Sequence, residues 1–279
     1  MVDIIFLLIN VSIFLFGAII GSFLNVVILR YGSGKSIIKG RSSCGTCGAH
    51  LSWYDMVPIL GYIFLRGRCR SCGMKISRQY IFVEISTGIL FVFIAQLFLP
   101  YIFSGTVPLI FPLIDTILLW VVVSLLVIIT VYDMRHFIIP DLFVYLFAAM
   151  SLVYICFPAL YMGMWTMWWG DIIAGPLFAI PFALIWLFSR GTWMGLGDAK
   201  LVLGIGWLLG VWGTISALLI AFWTGALWGL FLIGIQKKGV LWGRKKTFTM
   251  KSEIPFGPFL IMGTLLVLLF HIDIVSILF

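Results

Sequence analysis

In 279 residues the chain carries 63% hydrophobic and only 10% charged residues, with a mean hydropathy of +1.19. A soluble domain has roughly 25% charge, so a soluble fold is excluded and a polytopic membrane protein is expected. The net charge of +8 comes without an aromatic-interleaved basic stripe, which sets nucleic acid aside as a partner and leaves membrane orientation and anionic lipid headgroups as its explanation.

A membrane-crossing helix needs roughly 20 apolar residues. Eight stretches are expected to cross, at 4–29, 80–99, 116–132, 142–160, 171–189, 199–212, 214–236 and 256–277. The sixth is short and rich in glycine, with Gly204, Gly206 and Gly210 inside it and Gly213 just beyond. The start Met1-Val2-Asp3 lacks a positive region and no small-residue cleavage site follows, so the first helix is read as retained rather than as a removable signal. The expected fold is all-α, with about eight transmembrane helices and a small zinc-ribbon-like cytoplasmic insert. It divides into a first transmembrane helix at 1–29, a zinc-binding insert at 30–79 and a transmembrane helical domain at 80–279.

The insert holds Cys44-x2-Cys47 and, 21 residues later, Cys69-x2-Cys72. Each knuckle offers two thiolates from one tight turn, and the pair completes a tetrahedron. Gly45, Gly48 and Gly73 suit such turns. Four sulfur ligands leave no open position for water, so the zinc is expected to be structural. A pair of disulfides is disfavoured because the charge pattern puts this loop in a reducing compartment. His50 reads as a polar member of the zinc loop, and Cys156, inside an apolar span, as a packing residue.

Threading the eight spans places all 18 Lys and Arg on one side. Nine lie from Arg30 to Arg78, then come Arg135, Arg190 and Lys200, and six lie at 237–251. Basic residues in short loops stay in the cytoplasm, so both termini are expected outside. The run Met164-Trp165-Thr166-Met167-Trp168-Trp169 falls where tryptophans anchor the outer interface. Asp3, Asp115, Asp171 and Asp273 also map to the outer side, where caps and solvated carboxylates are ordinary.

Asp133 and Asp198 end or open long apolar runs in a chain with only 10 acidic residues. A carboxylate at a membrane boundary costs free energy unless solvent, a partner or a task holds it there. For Asp133 the structural alternative is an ion pair with Arg135, and for Asp198 a helix cap after the loop Met194-Gly195-Leu196-Gly197. Asp141, after Pro140, reads as the cap of the fourth span. Both Asp133 and Asp198 emerge on the cytoplasmic face. Brought together, two carboxylates share one proton, so one can take a proton from water while the other donates to the scissile amide. His50, His136 and His271 are scattered and offer no comparable arrangement. Buried carboxylates also serve proton relays in transporters, which would require acids near the midplane and internal repeats. A noncatalytic assembly platform for partner proteins is the other alternative.

The chain resembles the type IV prepilin peptidase family over nearly its whole length. The resemblance rests on Gly21-Ser22-Phe23-Leu24-Asn25-Val26-Val27, the two cysteine knuckles, Trp53-Tyr54-Asp55-Met56-Val57-Pro58 and Leu65-Arg66-Gly67-Arg68-Cys69. It continues through Arg78-Gln79-Tyr80, Val83-Glu84, Ile139-Pro140-Asp141, Gly195-Leu196-Gly197-Asp198 and Ile254-Pro255-Phe256-Gly257-Pro258. The resemblance implies cleavage of the leader of prepilins and pseudopilins after glycine at the inner (plasma) membrane, and S-adenosylmethionine-dependent methylation of the new N-terminus. It places the catalytic aspartates at Asp133 and Asp198, and Cys44, Cys47, Cys69 and Cys72 at the insert of bifunctional members. No glycine-rich strand-to-helix loop is present for the methyl donor, and its binding residues stay unassigned. Glu84, about one turn inside an apolar span, is read as shaping that site or as an internal partner for Arg78 or an insert residue.

Overall fold

The computed structural model describes residues 2–105, 107–162, 168–237 and 255–274. The described residues form eight α-helices: α1 Val2–Arg30, α2 Leu60–Phe64, α3 Gln79–Ser104, α4 Ile110–His136, α5 Asp141–Met162, α6 Trp168–Ser189, α7 Leu196–Lys237 and α8 Gly257–Phe270. A 3-10 turn at Trp53–Met56 precedes α2. Among the described residues there is no strand, only two isolated antiparallel bridges inside the insert. Five helices are long and apolar enough to cross a membrane, and two shorter apolar stretches, Asp141–Phe157 and Gly257–Phe270, accompany them. The basic stretch at 237–251 lies, but for Lys237, outside the described residues, as do 164–167 of the tryptophan-rich run.

α7 covers two of the expected stretches, 199–212 and 214–236. A straight helix of 42 residues would be about 63 Å long, twice the roughly 30 Å hydrocarbon core. Gly210 breaks it with φ 67° and ψ −171°, a backbone region open essentially to glycine. The break falls three residues before the expected boundary at Gly213, which stays helical. Asp171 reaches this break: a Cβ on Gly210 would stand 2.6 Å from its Oδ1.

The contacts cluster into two compact units, Met1–Ile128 and Ile129–Phe279. In the first, glycines bring the backbones of α1 and α3 close together. A Cβ on Gly17 would lie 2.9 Å from Gly88 Cα, and one on Gly21 2.9 Å from Glu84 Cα. Lipid tails are as apolar as leucine, so close packing and interhelical hydrogen bonds must supply the association. The buried Asn25 supplies them at one end, donating to the Tyr80 carbonyl at 3.2 Å and accepting from Gln79 Nε2 at 3.3 Å. Deeper in the pair Gln96 Nε2 donates to Asn10 Oδ1 at 2.5 Å. Trp120 of α4 stacks on Phe91 with ring centroids 4.9 Å apart and donates to its carbonyl. Asp115, expected in solvent, is buried in the second turn of α4, where it has an interaction partner.

The second unit repeats the glycine device around α7. Gly204 admits Phe147 of α5, Gly206 lies against Gly175 of α6, and Gly263 of α8 lies against Ala217. Trp207 donates to the Ile172 carbonyl at 2.9 Å. The first half of α7 is thereby fixed between α5 and α6, and this half begins with Asp198.

Candidate active site and metal centre

Asp133 sits in the last turn of α4, where Phe137 N donates to the Asp133 carbonyl at 2.8 Å before the helix stops. Its carboxylate is 4% exposed and meets the N-terminus of α8. The Gly257 amide faces it, so a helix dipole and an N–H direct partial positive charge at a group that burial would otherwise penalise. Nothing larger than glycine fits there, since a Cβ would stand 2.5 Å from Asp133 Oδ2 and 3.4 Å from Ile139 Cδ1. Among the described residues the ion pairs are Arg70–Asp55 and Lys200–Asp141, so Asp133 is not held by Arg135.

Asp198 occupies the first turn of α7 and is partly exposed. Its amide donates to the Gly195 carbonyl at 3.3 Å, and the Gly195 amide faces its carboxylate. Ile139 packs on the neighbouring glycine: a Cβ on Gly197 would stand 2.8 Å from Ile139 Cβ. Ile139 thus touches both glycines, and the ends of α4, α7 and α8 converge on it. The Asp133 and Asp198 carboxylates lie within electrostatic reach of one another.

Asp141 opens α5, in keeping with its sequence reading, and takes a further partner. Its carboxylate accepts from Lys200 Nζ at 2.6 Å, and the same ammonium lies 4.9 Å from the centroid of the Tyr145 ring. The first turns of α5 and α7 are therefore tied together two residues beyond Asp198. His136 stacks on Tyr132 at 4.3 Å, and His271 is the left-handed C-cap of α8.

Because a single added methyl on Gly257 would push into Asp133, Gly257→Ala is expected to lower kcat of the peptidase activity that the resemblance implies by about 100-fold, the scale of a 1 Å misplacement of a catalytic group. Steady-state kinetics on a peptide of the implied substrate class check this. KM should change little, because the substitution displaces a carboxylate and adds no bulk elsewhere.

In the first unit the two cysteine knuckles form matching turns. Cys44 N donates to Ala49 O and Gly48 N to Cys44 O, both at 2.9 Å; Cys69 N donates to Met74 O and Gly73 N to Cys69 O, at 2.8 and 2.9 Å. Gly48 and Gly73 adopt φ of 72° and 71°, the left-handed conformation each turn needs. All four Sγ atoms lie within 4.8 Å of one another, with Cys44 and Cys72 3.9 Å apart. A zinc ion with Zn–S bonds of about 2.3 Å would set tetrahedral sulfurs about 3.8 Å apart, so the donor set fits. The thiols are free. The Cys47 and Thr46 amides lower the Cys44 thiol to about 6, which favours the thiolate that a metal needs. His50 is exposed and pairs with Ser43 across the first knuckle.

Glu84 is 6% exposed and takes a partner that the sequence reading named only in outline. Its Oε2 accepts from the backbone amide of Ile59 at 2.7 Å. Ile59 has φ 63° and ψ −54°, and Leu60 N donates to Pro58 O at 2.6 Å. This is the rare form of the γ-turn, an outlier for a β-branched residue that costs about 1–3 kcal/mol. The carboxylate satisfies an amide that the tight turn directs into the membrane helices.

Residues 120–230 match the model of the type IV leader peptidase family, and residues 15–98 match that of the bacterial peptidase A24 N-terminal domain. The chain is similar to proteins named prepilin leader peptidase/N-methyltransferase. That of Bacillus subtilis is 30% identical over 265 residues, covering 95% of each chain. The Vibrio cholerae protein is 35% identical over 207 residues, 69% of this chain and 74% of its own. The Myxococcus xanthus protein is 33% identical over 223 residues, 80% of this chain but only 63% of its own length. No solved structure gives a match of significance. With both carboxylates inside one matched region and the four thiols inside the other, the chain belongs to the type IV leader peptidase family.

Proposed function

We propose that the protein is a membrane aspartic peptidase that removes the leader of type IV prepilins and pseudopilins after glycine, at the cytoplasmic face of the bacterial inner membrane, and methylates the new N-terminus. The observation that carries the reading is the electrostatic proximity of Asp133 and Asp198 within residues 120–230. The relatives' shared name supports both activities.

The chemistry follows from one proton shared by the pair. The ionised carboxylate takes a proton from water as its oxygen bonds to the scissile carbonyl carbon, and the protonated partner donates to the carbonyl oxygen. When the tetrahedral species collapses, the C–N bond breaks and the leaving nitrogen receives a proton from the pair. The partly exposed Asp198 is the member reached by water and substrate. The buried Asp133 is held in place by the Gly257 amide.

Zinc, held by Cys44, Cys47, Cys69 and Cys72, is structural in this reading, since four thiolates close the coordination sphere. S-adenosylmethionine supplies the methyl group when bound. In this reading the basic loops face the cytoplasm and both termini face outward, which the 18 basic residues on one side of the threading support. Mass spectrometry of a prepilin peptide incubated with the protein and methyl donor tests both halves at once. Expected is a product starting at the residue after glycine, heavier by one methyl group; an intact peptide overturns the peptidase reading.

A further inference from the structure

The segment that Glu84 captures, residues 53–64, turns a row of large apolar side chains outward. Trp53 is 77% and Phe64 78% exposed, and Tyr54, Met56, Leu60 and Ile63 are also exposed. A water-facing loop has no use for such a row. Its depth explains it. Glu84 lies five residues inside α3, about 8 Å along the helix axis, and also bonds the Ser22 side chain. Ser22 is eight residues before the end of α1, about 12 Å along its axis. The strained turn at Ile59 therefore sits alongside α1 and α3, short of the ends at Arg30 and Gln79 from which the insert departs.

The flanks carry the opposite chemistry. Just past α2, Arg66, Arg68, Lys75 and Arg78 line a cavity of about 300 Å³, and Arg70 lies over the Tyr54 ring while pairing with Asp55. Aromatic and aliphatic groups at the acyl boundary with cations at phosphate height are the pattern of a helix lying in the membrane interface. We propose that residues 53–64 form an interfacial wedge embedded in the leaflet on the insert's side, with the adjoining basic residues against anionic phospholipid headgroups and Glu84 as its tether. This rests on the reading of α1 and α3 as membrane-crossing helices.

The test places p-acetylphenylalanine at position 64 of the full-length protein, couples a hydroxylamine nitroxide to it, and reconstitutes the protein in nanodiscs of phosphatidylethanolamine and phosphatidylglycerol. Position 38, a 91% exposed isoleucine of the insert, and position 89, an exposed isoleucine of α3, are labelled in parallel. Expected at 64 is frequent collision with oxygen and rare collision with the water-soluble nickel chelate NiEDDA, as at 89 and opposite to 38. Nickel access at 64 equal to that at 38 overturns the wedge. Low access to both reagents also overturns it, because a second copy or a substrate helix then covers the face. Nickel access at 89 would instead defeat the membrane reading of α3, and leader cleavage by the same samples reports separately on the peptidase. In the label-64 background Glu84→Ala is expected to raise nickel access severalfold while Glu84→Gln, which keeps an acceptor for the Ile59 amide, preserves the depth. An unchanged Glu84→Ala overturns the tether.

Discussion

Asp133→Asn and Asp198→Asn are each expected to reduce leader cleavage by at least about 1000-fold, within the range a positioned acid or base contributes. Asparagine keeps the volume of aspartate, so the spaces defined by Gly257 and by Gly195 stay filled as before. What it removes is the shared proton: a pair with one amide can neither take a proton from water nor return it to the leaving nitrogen in turn. The loss should therefore appear in kcat, with zinc content and thermal melting in detergent unchanged. Asp141→Asn offers the contrast. It weakens the tie to Lys200 but leaves both reacting groups in place, so it should cost far less. Normal cleavage by either Asp133→Asn or Asp198→Asn would end the assignment of that carboxylate.

Substitution of the thiols has the second large consequence, on structure rather than on chemistry. Cys69→Ser or Cys44→Ser is expected to take bound zinc from one ion per chain to none, and to open the insert to proteolysis within residues 31–78. Apparent binding free energies of structural zinc are about 10–16 kcal/mol in small fingers at neutral pH. A segment of roughly 50 residues cannot replace that from its own core. Cys69 is the more damaging position because it is buried, whereas Cys47 and Cys72 are exposed. Helix content should survive, since the glycine contacts of α1 with α3 owe nothing to the knuckles. Elemental analysis, circular dichroism and limited proteolysis read these effects together. Full zinc retention in Cys44→Ser would exclude a four-thiolate site.

Much of this arrangement could be read along the chain because its signals are local. Apolar length marks the helices, C-x2-C spacing marks the knuckles, and a carboxylate at the end of an apolar run marks itself. The structure adds what depends on backbone approach between distant segments. Gly197 stands in a glycine-rich loop and Gly257 in a family motif, and neither setting reveals that Asp133 and Ile139 fill the spaces these glycines leave. Glu84 drew attention as an acid in an apolar run, but its partner is the amide of Ile59, and no side-chain pattern announces a strained peptide. Asp141 was legible as a helix start, while its bond to Lys200, 59 residues away, was not. Asp115 misled for the opposite reason: its place near a span end suggests water, and burial within the packed helix is a tertiary fact.

The pairing of Asn25 with Tyr80 and Gln79 fixes the points where the chain leaves α1 and re-enters α3. Everything from Tyr31 to Arg78 is thus a closed excursion hung from a clamp, and closing so long a detour costs only slightly more entropy than closing a short one. Such a construction separates what is attached from what holds it. The module could be exchanged for a brief linker, or for a different domain, without the helical stem having to find a new way of joining.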